Sequence, residues 1–100
     1  MSFGSHEMVV RITLEGNYDR SAVHQWLGDQ ADRLTVHGWS RERLTNDHIE
    51  ILFAGEVSAV MAMLQVFTDG PIPDGIEAVK ETAVRGDEPV WLGFHHLPVA

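Results

Sequence analysis

The residues with the clearest chemical potential lie in a short polar segment, EGNYDRSAVHQW at residues 15–26, between an apolar stretch and an amphipathic one. A loop at this place could hold an anion, because the free N–H groups at the start of a helix attract negative charge. The composition is unusual for that role. No glycine follows Gly16 in the segment, Asp19 adds a negative charge, and His24 stands where the helix opens.

The remaining histidines are weaker candidates. His95 and His96 are adjacent in a strand pattern and so face opposite sides of a sheet, which argues against joint metal ligation. The hairpin pattern places His37 and His48 opposite each other. Two strand histidines of this kind are more often surface residues. On the first helix pattern, Trp26 is the aromatic residue that we expect to be exposed.

The charge of the chain restricts its partners. There are 15 acidic residues against seven basic ones, and the formal net charge is -8. Negative charge repels phosphate backbones and anionic lipids, so we expect neither nucleic acid nor membrane as a partner. The chain has no cysteine, which excludes disulfide and thiolate chemistry and fits a cytoplasmic location.

The length of 100 residues is that of one domain, and a hydrophobic content of 44% is enough for a core. Residues 1–7 are polar and read as a flexible N-terminal lead, so we place the domain at 8–98. No apolar run reaches the roughly 18 to 20 residues that span a bilayer. We expect a monomer.

The first half of the chain predicts a strand followed by a helix. Alternation in MVVRITLEG indicates a strand that ends at Gly16 and buries one face, formed by Val10, Ile12 and Leu14. The apolar period then changes to a helical one over 22–34, with Ser21 as the predicted N-cap.

The rest of the chain predicts a hairpin, a helix and two strands. TVHGWSR and HIEILFAG form the hairpin, with a turn in RLTND. A second amphipathic helix begins near Val57 and ends at Asp69-Gly70-Pro71, where glycine can adopt the left-handed conformation and proline cannot continue. IEAVKETAV predicts a strand, RGDE a turn, and PVWLGFHHL a last edge strand, because Pro89 has no N–H to donate.

The element order is therefore β-α-β-β-α-β with an added C-terminal strand. An α+β fold accommodates it: a ferredoxin-like α/β sandwich in which an antiparallel sheet carries both helices on one face. Many unrelated functions use this architecture, so function must be inferred from the site residues.

A set of glycine and apolar positions resembles the acylphosphatase family. Gly16 and the pair Gly38-Trp39 stand at the family's separation without a gap, at the end of the first strand and the start of the second. Further matches follow in register over about 9–97: Ile49-Glu50-Ile51, Gly55, Val60, Gly70-Pro71, Ile76, Val79 and Phe94. The resemblance covers nearly the whole chain and implies the same fold.

The resemblance also implies a site. Acylphosphatases hydrolyse carboxyl-phosphate bonds without a metal, a cofactor or a covalent intermediate. A glycine-rich loop and its final arginine hold the phosphoryl oxygens, and an asparagine after the Gly-Trp pair positions the attacking water. The arginine position here is His24 and the asparagine position is Glu42. The phosphate-loop positions are Asn17, Tyr18, Asp19, Arg20, Ser21, Ala22 and Val23.

Each of these differences weakens phosphate binding. A neutral imidazole cannot form the bidentate fork of an arginine. Arg20 and Ala22 replace the two inner glycines of the family loop, and side chains resist the positive φ angles that let amides converge on an anion. Asp19 and Glu42 add negative charge. We therefore predict an impaired or inactive acylphosphatase-like domain that serves as a small-ligand or interaction module, and the alternative is an active acylphosphatase that acts on small acyl phosphates.

Several roles stay open for His24. It could donate weakly to phosphate, act as a general base with Glu42, or be a phosphorylated nucleophile. The simpler interpretation is a half-exposed helix histidine that fills the space of the arginine. Together with Glu42 and Asp19 it could ligate a divalent metal, but this spacing is not a known metal motif and we predict none. A partner contact through the edge strand is allowed by the fold.

Overall fold

The structure is a computed structural model that describes residues 7–43, 48–84 and 90–99. The predicted turn RGDE, most of RLTND, and residues 1–6 of the predicted lead lie outside the described residues. Within them the elements are β1 (Glu7–Gly16), α1 (Arg20–Leu34), β2 (His37–Glu42), β3 (Ile49–Glu56), α2 (Val57–Asp69), β4 (Ile76–Thr82) and β5 (Phe94–His96).

The strands form one sheet in the order β4-β1-β3-β2-β5. Neighbouring strands are antiparallel except for β5, which runs parallel to β2. The sheet is therefore mixed, and the prediction of a wholly antiparallel sheet was wrong at this edge. The last strand does lie at the edge, but it is shorter than predicted, because Gly93 before it has a φ of +80° and Pro98 soon after it has no N–H.

The core lies between the sheet and the two helices, as predicted. Val10, Ile12 and Leu14 pair across β1 and β3 with Phe53, Ile51 and Ile49, so all six side chains point to one face. These strand residues form one buried cluster with the apolar positions of both helices: Val23, Leu27, Ala31, Val60 and Met63. Both helices therefore cover the same face of the sheet.

The opposite face of the sheet is also partly buried. Trp39 is 1% exposed and lies across from Leu52, so it is a structural residue. Arg11, which alternation placed on the polar face of β1, is buried as well, because its guanidinium forms an ion pair with Glu50 at 2.7 Å. A buried charge of this kind requires such a partner.

The helix boundaries differ slightly from the prediction. α1 begins at Arg20 with Asp19 as its N-cap, so Ser21 lies inside the first turn instead of capping it. α2 ends at Asp69 as predicted, but Gly70 has a φ of -84° and is extended instead of left-handed. None of the helices in the described part of the chain is long and apolar enough to cross a membrane.

Gly38 is a position where the sheet depends on the absence of a side chain. Its φ is +133°, and a Cβ there would collide with the carbonyl oxygen of Leu52 on β3. We expect Gly38→Ala to lower the free energy of unfolding by at least about 2 kcal/mol, measured by urea denaturation.

The matched control is Gly28→Ala in α1, where a Cβ would meet nothing within 4 Å. That substitution should leave stability unchanged or raise it by up to about 1 kcal/mol, since alanine favours helix. Equal destabilisation by the two substitutions would contradict the close approach at Gly38.

Candidate functional site

The loop between β1 and α1 is held by backbone contacts at its first residues. Gly16 has a φ of +141°, and a Cβ there would collide with the carbonyl oxygen of Gly75. The next residue, Asn17, donates its backbone N–H to that same oxygen at 3.0 Å. The first amide of the predicted phosphate loop therefore already has an acceptor within the protein.

Tyr18 anchors the middle of the loop in the core. Its hydroxyl donates to the Leu14 carbonyl oxygen at 2.7 Å and accepts from the Ile49 N–H at 3.3 Å. The side chain is 9% exposed, and the guanidinium carbon of Arg20 lies 5.1 Å from its ring centroid. Tyr18 is thus a structural residue, and it directs the chain outward at Asp19.

Asp19 caps the helix with its side chain. Its Oδ1 accepts a hydrogen bond from the Ala22 N–H at 3.1 Å, while its backbone oxygen accepts from Val23 at 3.0 Å. The N–H groups at a helix start are the donors that would otherwise bind an anion. Here a carboxylate of the protein takes one of them. Ser21 and Ala22 are exposed and line the outer side of this turn.

His24 lies one turn farther along α1 and points at the sheet. It is 5% exposed, so the expectation of a half-exposed histidine was wrong. Its Nδ1 and the Ser40 hydroxyl share a hydrogen bond of 2.7 Å, and its Nε2 lies 3.4 Å from Glu42 Oε1. The ring of His96 stacks on it with centroids 3.6 Å apart and planes 17° apart. We call these four residues, His24, Ser40, Glu42 and His96, the histidine cluster.

The surroundings of His24 favour its neutral form. Burial lowers its pKa, and the nearby charges of His96 and Arg20 lower it further, whereas the Glu42 carboxylate acts in the opposite direction. The Nε2–Oε1 distance of 3.4 Å is long for a hydrogen bond. His24 is therefore a neutral imidazole close to a carboxylate, with its pKa below the usual value.

This geometry limits the chemistry open to His24. Its Nδ1 is bonded to Ser40, and its Nε2 is buried without a hydrogen-bond partner. A base or nucleophile must reach its substrate at hydrogen-bond distance. In this arrangement a substrate would reach Nε2 only if Glu42 or His96 moved aside.

The sequence placed His24 and Glu42 together correctly but missed two members of the cluster. Ser40 follows from strand alternation, because it shares a face of β2 with Glu42. His96 could not be found in this way, since its position depends on the parallel pairing of β5 with β2, which places it next to Ser40. The prediction that His37 faces His48 was wrong, because His37 lies across from Ala54.

Asp19 does not join Glu42 and His24 in a metal site. Its carboxylate is directed to Ala22, and within residues 7–43, 48–84 and 90–99 no group of three His, Asp, Glu or Cys side chains is placed to hold a metal ion.

Trp26 is partly buried, packs edge-on against Phe67 at 5.3 Å, and borders a groove of about 540 Å³ between α1 and α2. This groove does not include the histidine cluster.

Acylphosphatases share this architecture. Two helices pack on one sheet, and the loop after the first strand faces residues of the second strand. The family model described as Acylphosphatase matches residues 10–95. An acylphosphatase of Rhizobium etli is 31% identical over 75 residues, which are 75% of this chain and 79% of the relative. One from Nitrobacter hamburgensis is 32% identical over 81 residues, 81% of each chain.

Solved structures agree in fold. The structure of an acylphosphatase from Coxiella burnetii superposes with a TM-score of 0.75 and 18% identity, over 97% of this chain and 100% of that one. With the family model spanning most of its length and relatives above 30% identity, the chain belongs to the acylphosphatase family.

The lowered pKa of His24 predicts a dependence of stability on pH. Well above about pH 6.5 the imidazole is neutral in both the folded and the unfolded chain and contributes no slope. As the pH falls below this value, the unfolded chain binds the proton first, so the free energy of unfolding should decrease. The decrease is at most about 1.4 kcal/mol per pH unit, and it ends once the pH is below the pKa of His24 in the folded chain.

Urea denaturation between about pH 7.5 and about pH 5.5 measures this slope. The variant His24→Asn, whose side chain can still bond Ser40 but does not titrate, should show a smaller decrease over the same range. The same decrease in both proteins would mean that His24 is not the group responsible.

Proposed function

We propose that this member of the acylphosphatase family is catalytically impaired or inactive toward acyl phosphates and serves as a small-ligand or interaction module. One observation carries the proposal. The carboxylate of Asp19 accepts the Ala22 N–H at 3.1 Å, at the helix start where the family holds its phosphoryl oxygens. A phosphoryl group would have to displace this carboxylate and then remain close to it.

Glu42 supports the same conclusion through its charge. Its side chain is 27% exposed and lies beside His24, at the position of the family's asparagine. A carboxylate cannot donate a hydrogen bond to water or phosphate, and it repels an anion. Two unit charges 4 Å apart repel each other by about 4 kcal/mol at an effective dielectric constant of 20. Asp19 is exposed, so solvent screens its charge more strongly.

His24 supports the proposal through the donors that it lacks. Loss of a single transition-state donor typically costs about 2.7 to 4 kcal/mol, or roughly 10² to 10³ in rate. The imidazole offers at most one N–H on each side, its Nδ1 is already bonded to Ser40, and its Nε2 faces Glu42. Neither nitrogen reproduces the fork of a guanidinium.

A second candidate function, slow hydrolysis of acyl phosphates, is favoured by the place of Arg20. This residue begins α1, one turn before His24, and its charge is close enough to lower the pKa of His24. A guanidinium there could hold a phosphoryl group in place of the family's arginine. The ring of Tyr18 lies beside it and limits its motion.

The remaining expectations on cellular context stay predictions. They are a cytoplasmic location, a monomeric state, and the lack of nucleic-acid and membrane partners. A small acyl phosphate is the ligand that the family suggests, and any ligand of the impaired site must tolerate Asp19 and Glu42.

Hydrolysis of a small acyl phosphate separates the two candidate functions. We expect turnover by the natural protein at least about 10³-fold below that of an active family member, because two donors are missing. The double variant His24→Arg, Glu42→Asn should recover only part of the activity, since Asp19 still takes the Ala22 N–H.

The controls identify the residues responsible. Turnover near that of an active acylphosphatase, abolished by His24→Ala, would overturn the proposal. Turnover that is weak, lost in Arg20→Gln and kept in Arg33→Gln would establish the second candidate, because Arg33 carries the same charge at the other end of α1.

A further inference from the structure

The face of the sheet opposite the helices carries a cluster of arginines around one acid. Arg11 Nη2 donates to Glu50 Oε2 at 2.7 Å, and Arg43 Nε donates to Oε1 at 2.8 Å. Arg41 Nη2 lies 3.4 Å from the same Oε1. Three of the seven basic residues of a chain with net charge -8 therefore surround one carboxylate. We call Arg41, Arg43 and Glu50 the arginine cluster.

The charges in this cluster are not balanced. Arg41 and Arg43 share one oxygen of Glu50, whose other oxygen is bonded to Arg11. Within the described residues Glu50 is the only acid paired with Arg41 or Arg43. Two neighbouring guanidinium groups repel each other, and a further anion beside them would reduce that repulsion.

The two guanidinium groups are held in place and remain accessible. Arg41 lies over the buried ring of Trp39, with its Cζ 5.0 Å from the ring centroid. Arg43 is held through its Nε, which donates to Glu50 Oε1 at 2.8 Å. The side chains of Arg41 and Arg43 are 27% and 31% exposed. Preorganised donors of this kind lose little entropy when a ligand binds.

We propose that Arg41 and Arg43 form a binding site for a small oxyanion, the phosphate or carboxylate group of a small molecule. Guanidinium N–H groups match the oxygen atoms of both ligand groups, and hydrogen bonds between opposite charges are the stronger ones. Glu50 orients the two arginines instead of contacting the ligand. The charge of the two arginines, larger than that of Glu50, provides the attraction for the anion.

This site is separate from the histidine cluster. Arg41 alternates along β2 with Ser40 and Glu42, so its side chain lies on the other face of the sheet. The proposal therefore does not depend on whether the family's phosphate loop still binds phosphate. An anion at either site would report through different backbone amides.

The test is an NMR titration of the full chain with inorganic phosphate, and separately with acetate, at constant ionic strength. We expect saturable amide shifts at Arg41, Arg43 and Glu50 with at least one of the two anions. Binding by phosphate alone assigns a phosphate ligand, and binding by acetate alone assigns a carboxylate. Arg43→Gln should weaken binding at least about tenfold, because it removes a charge-assisted hydrogen bond.

The matched control is Arg33→Gln, which removes the same charge from a pair with Gln30 on α1 and should leave the affinity unchanged. Thermal unfolding of Arg43→Gln establishes that the variant is folded. The proposal is overturned if neither anion gives saturable shifts, if both variants weaken binding equally, or if the shifts fall on residues 17–24 instead. Only the last of these results would also bear on the family's phosphate loop.

Discussion

The hydrogen bond from the Ala22 N–H to the Asp19 carboxylate determines how the first helix and the site are arranged. An N-cap of this type contributes about 1 kcal/mol to stability. Because α1 begins directly after Asp19, His24 lies one turn into the helix and faces the sheet, where side chains of β2 and β5 meet it. The same bond takes up a donor that would otherwise attract an anion. In our proposal, helix capping and the loss of an anion site are thus one structural feature.

The sheet separates two electrostatic environments in this acidic chain. On the helix side, Glu42 Oε1 lies 3.4 Å from His24 Nε2, and the Asp19 carboxylate caps the start of the same helix. On the other side, Arg11 pairs with one oxygen of Glu50, while Arg41 and Arg43 share the other. Together, our two proposals keep the family scaffold and move the preferred place for an anion to the opposite face of the sheet.

Much of the fold could be predicted because local patterns decide it. Alternation identified the buried face of β1, and the spacing from Gly16 to Gly38 indicated the family. The N-cap of α1 could not be predicted, because Asp19 and Ser21 are both good N-cap residues. Tyr18 is anchored in the core, and this places Asp19 at the N-cap position. The burial of His24 likewise depends on His96, which only the parallel pairing of β5 places beside it.

The most direct test of the proposed loss of phosphate binding is a crystal structure of the protein soaked in phosphate at high concentration. We expect the Asp19 carboxylate to stay bonded to the Ala22 N–H, with no anion density against the amides between Asn17 and Val23. A phosphate seated on those amides, with the Asp19 side chain turned away, would contradict the claim that the protein's own carboxylate occupies the site.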